Sequence, residues 1–310
     1  MKLKDVYPLL RDAGIEWSND KSLRLAAAVA FYVILSLSPL VIVVLAISGA
    51  VFGAEAAQGA LVHQIQDLTG PEGAKAVESM IRSASNPESG TVAFLFGIGM
   101  LIFGATGAFV QLQDALNSIW EVEEHARSGI WSFFTDRLLS FAFVCSLAFL
   151  LLVSLIINAA LAGMGNLLEE WIPGWTNLVM VINFAISFGI TLVLFAMIFK
   201  LLPDVIVAWK DVWIGAFLTT LLFTFGKFLI GLYLGSGSVV TAYGAAGSLV
   251  VLLLWIYYST LILFYGAEFT QVYANHYGHG LEPKHAPSPT SIPAEPRDPD
   301  QKPAPRPSMA

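Results

Sequence analysis

Four polar side chains interrupt stretches that are otherwise apolar: Asn158, Asn183, Lys227 and Tyr243. A lysine ammonium is a compact positive charge with three donors, while an asparagine amide and a tyrosine hydroxyl each donate and accept. Gathered at one level near the outer membrane face, they would bind an anion such as a lipid phosphate or a small organic acid. The local alternative is that Lys227 extends its stem to the interface and the asparagines bond neighbouring backbone. A second set, Glu268, Asp114 and Tyr32, falls near the inner ends of the same stretches, beside Arg24, Arg137 and Lys200. It suits either structural ion pairing or the binding of a coupling proton or cation, with Glu268 the better candidate for coupling. Ser36, Ser38 and Pro39 form a third set. Proline removes a backbone donor and the serines can satisfy freed carbonyls, so this segment is either a hinge or an inert kink.

Hydrolytic chemistry is poorly provided for. The histidines, His63, His125, His276, His279 and His285, include no His-x-His or His-Glu-x-x-His spacing, so no metal site is expected. Glu121, Glu123, Glu124 and His125 read as a solvated charged loop. The single cysteine, Cys145, excludes an internal disulfide and any multi-cysteine metal site. With no P-loop, ATP-driven transport by this chain alone is not expected. No catalytic residue or cofactor is assigned, and no basic stripe suits nucleic acid.

The elements that must position these side chains follow from where charge is missing. Residues 25–54, 89–113, 138–168, 171–199, 212–226 and 228–267 each lack Asp, Glu, Lys and Arg. The chain is 56% hydrophobic and 13% charged, with a mean hydropathy of +0.70, against about 25% charged for soluble domains. A soluble helix needs a polar face, and a bilayer core of about 30 Å takes about 20 apolar residues per helix. The pattern predicts an all-α polytopic membrane protein with six spans, roughly 25–53, 90–112, 138–163, 176–200, 211–234 and 243–269. The first run is too long for a signal peptide, whose apolar region covers about 7–15 residues.

Basic residues orient the bundle. Lys2, Lys4, Arg11, Lys21, Arg24, Arg127, Arg137, Lys200, Lys210, Lys284, Arg297, Lys302 and Arg306 fall on one side, and Lys75 and Arg82 on the other. By the positive-inside rule both termini are cytoplasmic. Trp120, Trp131, Trp171, Trp175, Trp209 and Trp213 sit near predicted boundaries, as an aromatic belt does. The net charge of −7 reflects acids on both faces.

The predicted organisation is a cytoplasmic amphipathic lead-in (1–24), a six-helix domain (25–277) and a disordered cytoplasmic tail (278–310). Asn19-Asp20 is a candidate cap for the first span. The external connection 54–89 reads as two short helices separated at Thr69-Gly70-Pro71, serving as a packed lid or a mobile gate. Nine of the fifteen prolines lie beyond residue 279. Ala93/Gly97 and Gly104/Ala108, with Gly244-Ala245-Ala246-Gly247-Ser248, are spaced for close helix packing.

Several motifs carry a resemblance. Ala26-Ala27-Ala28-Val29-Ala30-Phe31-Tyr32 running into Ser36-Leu37-Ser38-Pro39-Leu40, then Ala115-Leu116-Asn117-Ser118-Ile119-Trp120, resemble the YihY/virulence factor BrkB family. So do Leu202-Pro203-Asp204-Val205 with Trp209-Lys210-Asp211-Val212-Trp213-Ile214-Gly215-Ala216. The most specific match is Tyr243-Gly244-Ala245-Ala246-Gly247-Ser248 with Trp255-Ile256-Tyr257-Tyr258 and Gly266-Ala267-Glu268-Phe269. The resemblance covers about residues 5–277. It implies six inner-membrane helices, a context of virulence and envelope lipid export, and no assigned catalytic role. Ser118, and positions among Ile206, Val207 and Ala208, depart from residues often basic in the family.

These observations favour a secondary transporter, or a lipid- or anion-translocating protein, of the bacterial inner membrane. The bilayer itself is a partner, an anionic lipid or organic anion is the expected ligand, and a homo-oligomer stays open. A non-transporting envelope scaffold is the alternative. Ribonuclease activity, an old label for some relatives, is not expected.

Overall fold

The computed structural model describes residues 3–84, 91–122, 175–235, 242–278 and 282–283. The expected span 138–163, and with it Asn158 and Arg137, lies outside the described residues, as does the tail beyond 283. Seven long helices are described: α1 (Leu3–Asn19), α2 (Ser22–Phe52), α3 (Ala54–Ala84), α4 (Thr91–Ile119), α5 (Trp175–Leu201), α6 (Trp209–Gly235) and α7 (Gly247–Tyr277). Two short strands, β1 (Val205–Ile206) and β2 (Glu282–Pro283), pair antiparallel and join the α5–α6 link to the segment after α7. The other five expected spans each fall within or across these helices. Among the described residues, Val181–Leu201, Trp209–Tyr233 and Gly247–Tyr277 are long and apolar enough to cross a membrane. A fourth span results if Val6–Asn19 and Ser22–Ser38, bent by 67°, are counted as one.

Backbone geometry marks the breaks. Gly53, at φ 88, ends α2 and donates its N–H to the Gly49 carbonyl, the use of a left-handed glycine at a helix end. Gly70, at φ 81, divides α3 just before Pro71, where the sequence separates two helices. The second segment of α3 is not confined to the bundle mouth. It buries Ala76, Val77 and Ile81 in a core shared with Val41 of α2 and Leu252 and Ile256 of α7. Its charges face outward, as the pairs Lys75–Glu72 and Arg82–Glu78. The connection therefore has a packing role.

Small residues set the helix spacing. Where α2 crosses α4, the Gly104 backbone meets Ser36 so closely that an added Cβ would lie 2.9 Å from the Ser36 Cα, and Gly107 accommodates the Tyr32 ring. The α6–α7 pair interlocks reciprocally. Thr270 packs on Gly215 and Thr219 on Gly266. Each threonine hydroxyl is satisfied within its own helix, Thr219 donating to the Gly215 carbonyl and Thr270 to Gly266, both at 2.7 Å. Gly226 faces the Tyr258 hydroxyl in the same antiparallel register. Lipid tails are as apolar as side chains, so association in a membrane rests on such close packing. The larger core joins Ala26 and Val29 of α2, Leu116 and Trp120 at the end of α4, Phe195 and Phe199 of α5, Val212 of α6 and Phe264 of α7. Phe217, Leu221, Phe225, Phe228 and Leu232 form an exposed apolar face along α6.

Candidate functional site

The elbow between α1 and α2 is built around Lys21, which adopts φ 56 and starts α2 without any side-chain cap. The expected Asn19-Asp20 cap is thus corrected. Asn19 turns back toward Glu16 (3.4 Å), and Asp20 faces α7. At the end of α4, Glu121 adopts φ 52. Lys21 and Glu121 are the two non-glycine residues with positive φ among those described, and both turns border the same place. Such backbone costs of order 1–3 kcal/mol and persists where surrounding contacts hold it.

That place is Glu268. Its side chain is 0% exposed, and among the described residues no N–H or hydroxyl donates to either carboxylate oxygen. The charged groups acting on it are Asp20, Glu16 and Glu121, all acids. The described residues supply no basic partner for the expected ion pair, and Arg137, one of the partners considered, lies outside them. Arg24 is exposed, and Lys200 donates to the Val207 carbonyl and stands 5.6 Å from the Trp209 ring centroid. The Asp20 carboxyl is in hydrogen-bonding position to Glu268. Two carboxylates are acceptors only, so a proton is what turns their contact into a hydrogen bond. Burial pushes the Asp20 carboxyl above the usual carboxylate range, contact with Glu268 opposes this, and the charges of Glu16 and Glu121 add to the rise.

Two indoles hold the walls. Trp120 Nε1 donates to the Ala267 carbonyl at 3.0 Å, beside Glu268, and Trp17 Nε1 donates to the Leu261 carbonyl at 3.3 Å. The Tyr265 hydroxyl donates to the Leu10 carbonyl at 2.9 Å, and Leu9 and Ala13 pack against Phe269 and Val272. The amphipathic lead-in is thereby clamped along α7. The buried Ser22 hydroxyl, just after the elbow, also lacks a partner.

Tyr32 and Asp114 do not join Glu268 in one cluster. Tyr32 packs between Phe31, Phe103 and Gly107, and Asp114 is exposed on α4. In the candidate hinge, Ser36 is buried and donates to the Val33 carbonyl at 2.9 Å, Ser38 is half-buried, and α2 runs unbroken through position 39. Of the outer set, Asn183 is exposed on α5 and Tyr243 is 58% exposed ahead of Gly244, whose φ is 54. Lys227 is half-buried, and the Gly226–Tyr258 contact places it about three helical turns from the start of α7. Lys227 and Tyr243 therefore stand at different levels.

A second polar constellation joins residues that the sequence matched without a role. The Asp204 N–H donates to Asn117 Oδ1 at 2.9 Å, while Asp204 Oδ2 accepts from Asn117 Nδ2 at 3.2 Å and Gln113 Nε2 at 3.3 Å. This clasp ties α4 to the α5–α6 link beside β1. Among the described residues, no group of three His, Cys, Asp or Glu is placed to hold a metal ion.

The sequence profile described as Virulence factor BrkB matches residues 15–291. A UPF0761 membrane protein of Rhodospirillum centenum is 26% identical over 272 residues, 87% of this chain but 58% of that protein, so the chain spans little more than half its length. A UPF0761 membrane protein of Pseudoalteromonas translucida is 28% identical over 79% of each chain. A Bacillus subtilis protein named ribonuclease-like protein YfkH is 24% identical over 78% of this chain and 86% of its own length. No solved structure matches.

Proposed function

Because the chain belongs to the Virulence factor BrkB family, whose relatives are membrane proteins, we propose that it is a secondary transporter of the bacterial plasma membrane. In this reading it moves a lipid or small organic anion, and Glu268 exchanges the coupling proton. The observation that carries it is a fully buried glutamate, without a basic partner among the described residues, in a helix long enough to span a membrane. An ionisable group there is costly, and a structural core is better served by an apolar residue of the same volume. A proton is also the one ligand that needs no cavity. The proposal includes six spans, the segment 138–163 among them, with both termini in the cytoplasm. Lys227 supplies the positive charge toward the anion, and RNA hydrolysis has no part in it.

Purified protein in liposomes, offered labelled phospholipids and organic anions, tests this. Wild-type flux should accelerate under a pH gradient, and Glu268→Gln should lose the acceleration. Flux equal to that of empty liposomes under every condition defeats the reading. The scaffold alternative draws on the β1–β2 pairing, which holds the start of the tail against the body of the protein. Deleting residues 284–310 should then remove partners in a pull-down and leave flux unchanged if the transporter reading holds.

A further inference from the structure

We propose that Asp20 and Glu268 share one proton and that this carboxyl pair is a latch, closing the α1–α2 elbow onto α7 when protonated and opening it when the proton leaves. The inference rests on the reading of Glu268 as a proton-exchanging carboxyl and adds the movement that the exchange drives. The bound state holds one proton and one negative charge between two side chains. Release sends the proton to water and leaves two carboxylates facing each other beside Glu16 and Glu121.

Among the described residues, no basic group offsets that repulsion. Asp20 from the elbow is in hydrogen-bonding position to Glu268, and the exposed carboxylates of Glu16 on α1 and Glu121 at the end of α4 act on it through their charge. Lys21 and Arg24, at the start of α2, are exposed. On α3, Lys75 and Arg82 are engaged with Glu72 and Glu78. On α6, the buried Asp211 packs against Gly278, beyond the end of α7. Burial with no donor makes the doubly charged state the costly one, so the pair either keeps its proton or moves apart. Opening has a defined place to occur. Lys21 is the left-handed residue about which α1 and α2 bend by 67°. The elevated pKa of Asp20 agrees with this.

Spin labels at Ile15 of α1 and Asn275 of α7, both exposed, in a Cys145→Ser background of the full chain in nanodiscs, report the movement. The wild-type pair should show one narrow distance at acidic pH and a second, longer population as pH rises. Glu268→Gln, whose amide donates to Asp20 without titrating, should lose the second population at every pH, and Asp20→Asn should do the same. An infrared difference spectrum should show a protonated-carboxylic-acid band that Glu268→Gln removes. A pH-independent distance in the wild type, or the same second population in both variants, overturns the latch. If Glu268→Gln does not fold, Asp20→Asn decides alone. Moving labels with pH-insensitive flux would uphold the latch and defeat the transport reading, and the reverse result would separate them the other way.

Discussion

Replacing Glu268 by methionine decides between two energetic accounts of the same residue. A buried glutamate held by a basic partner loses about 3–5 kcal/mol when one side of the pair is removed, because the other charge is stranded. Here, among the described residues, no basic group or backbone N–H reaches either carboxylate oxygen, and the charges around it are acidic. Removing an unsatisfied buried polar group relieves about 1–3 kcal/mol. A volume-conserving swap in a packed core costs less than about 1.5 kcal/mol. The balance runs from roughly neutral to about 3 kcal/mol of added stability. Unfolding of the purified protein in detergent, followed by tryptophan fluorescence at neutral pH, measures it. A loss of about 3 kcal/mol or more would refute the reasoning and restore an ion-paired Glu268. The pH dependence has a definite sign. Asp20 has its folded-state pKa raised, chiefly by burial. Its contribution is therefore complete below the ordinary carboxylate pKa and is lost as pH climbs through the raised value. Wild-type stability should fall as pH rises from the ordinary carboxylate pKa through the raised Asp20 value.

Gly104→Ala sets a Cβ against the Ser36 backbone, which cannot rotate away, and should cost about 1–3 kcal/mol in thermal unfolding. Gly189→Ala, with nothing within 4 Å, should be neutral or gain up to about 1 kcal/mol; equal effects at the two sites would remove the packing argument. Asn117→Ala removes two of the hydrogen bonds made by Asp204 and should destabilise by about 1–3 kcal/mol, with faster proteolysis in the 200–210 link. Lys227→Met should insert and fold normally while uptake of labelled organic anions in liposomes falls; unchanged uptake would remove Lys227 from the substrate path.

Solvent and period explain what could be read from the linear chain. The charge-free runs located five stretches that the described helices cover, three of them in helices long and apolar enough to cross a membrane, because a lipid-facing helix has no need of charge. Gly70-Pro71 was legible as a break, since glycine permits the left-handed turn and proline suits the first position of the next segment. Gly104 was legible as a packing residue by its spacing, though not the partner that fills its space. That Lys227 lies beside the level of Tyr258 was not legible, because inter-helix register is set by which glycine receives which side chain.

The sequence by itself determined that this chain is a helical membrane protein, where its described long apolar helices lie and that Glu268 is out of place among apolar neighbours. Only the tertiary structure decided what Glu268 faces. Its surroundings depend on positive-φ turns at Lys21 and Glu121, two residue types with no preference for that conformation. Those turns border the place where the half-buried Asp20 and the buried Glu268, from opposite ends of the chain, meet. Local periodicity places a side chain on a face of its own helix, whereas the charge it meets depends on how separate helices cross.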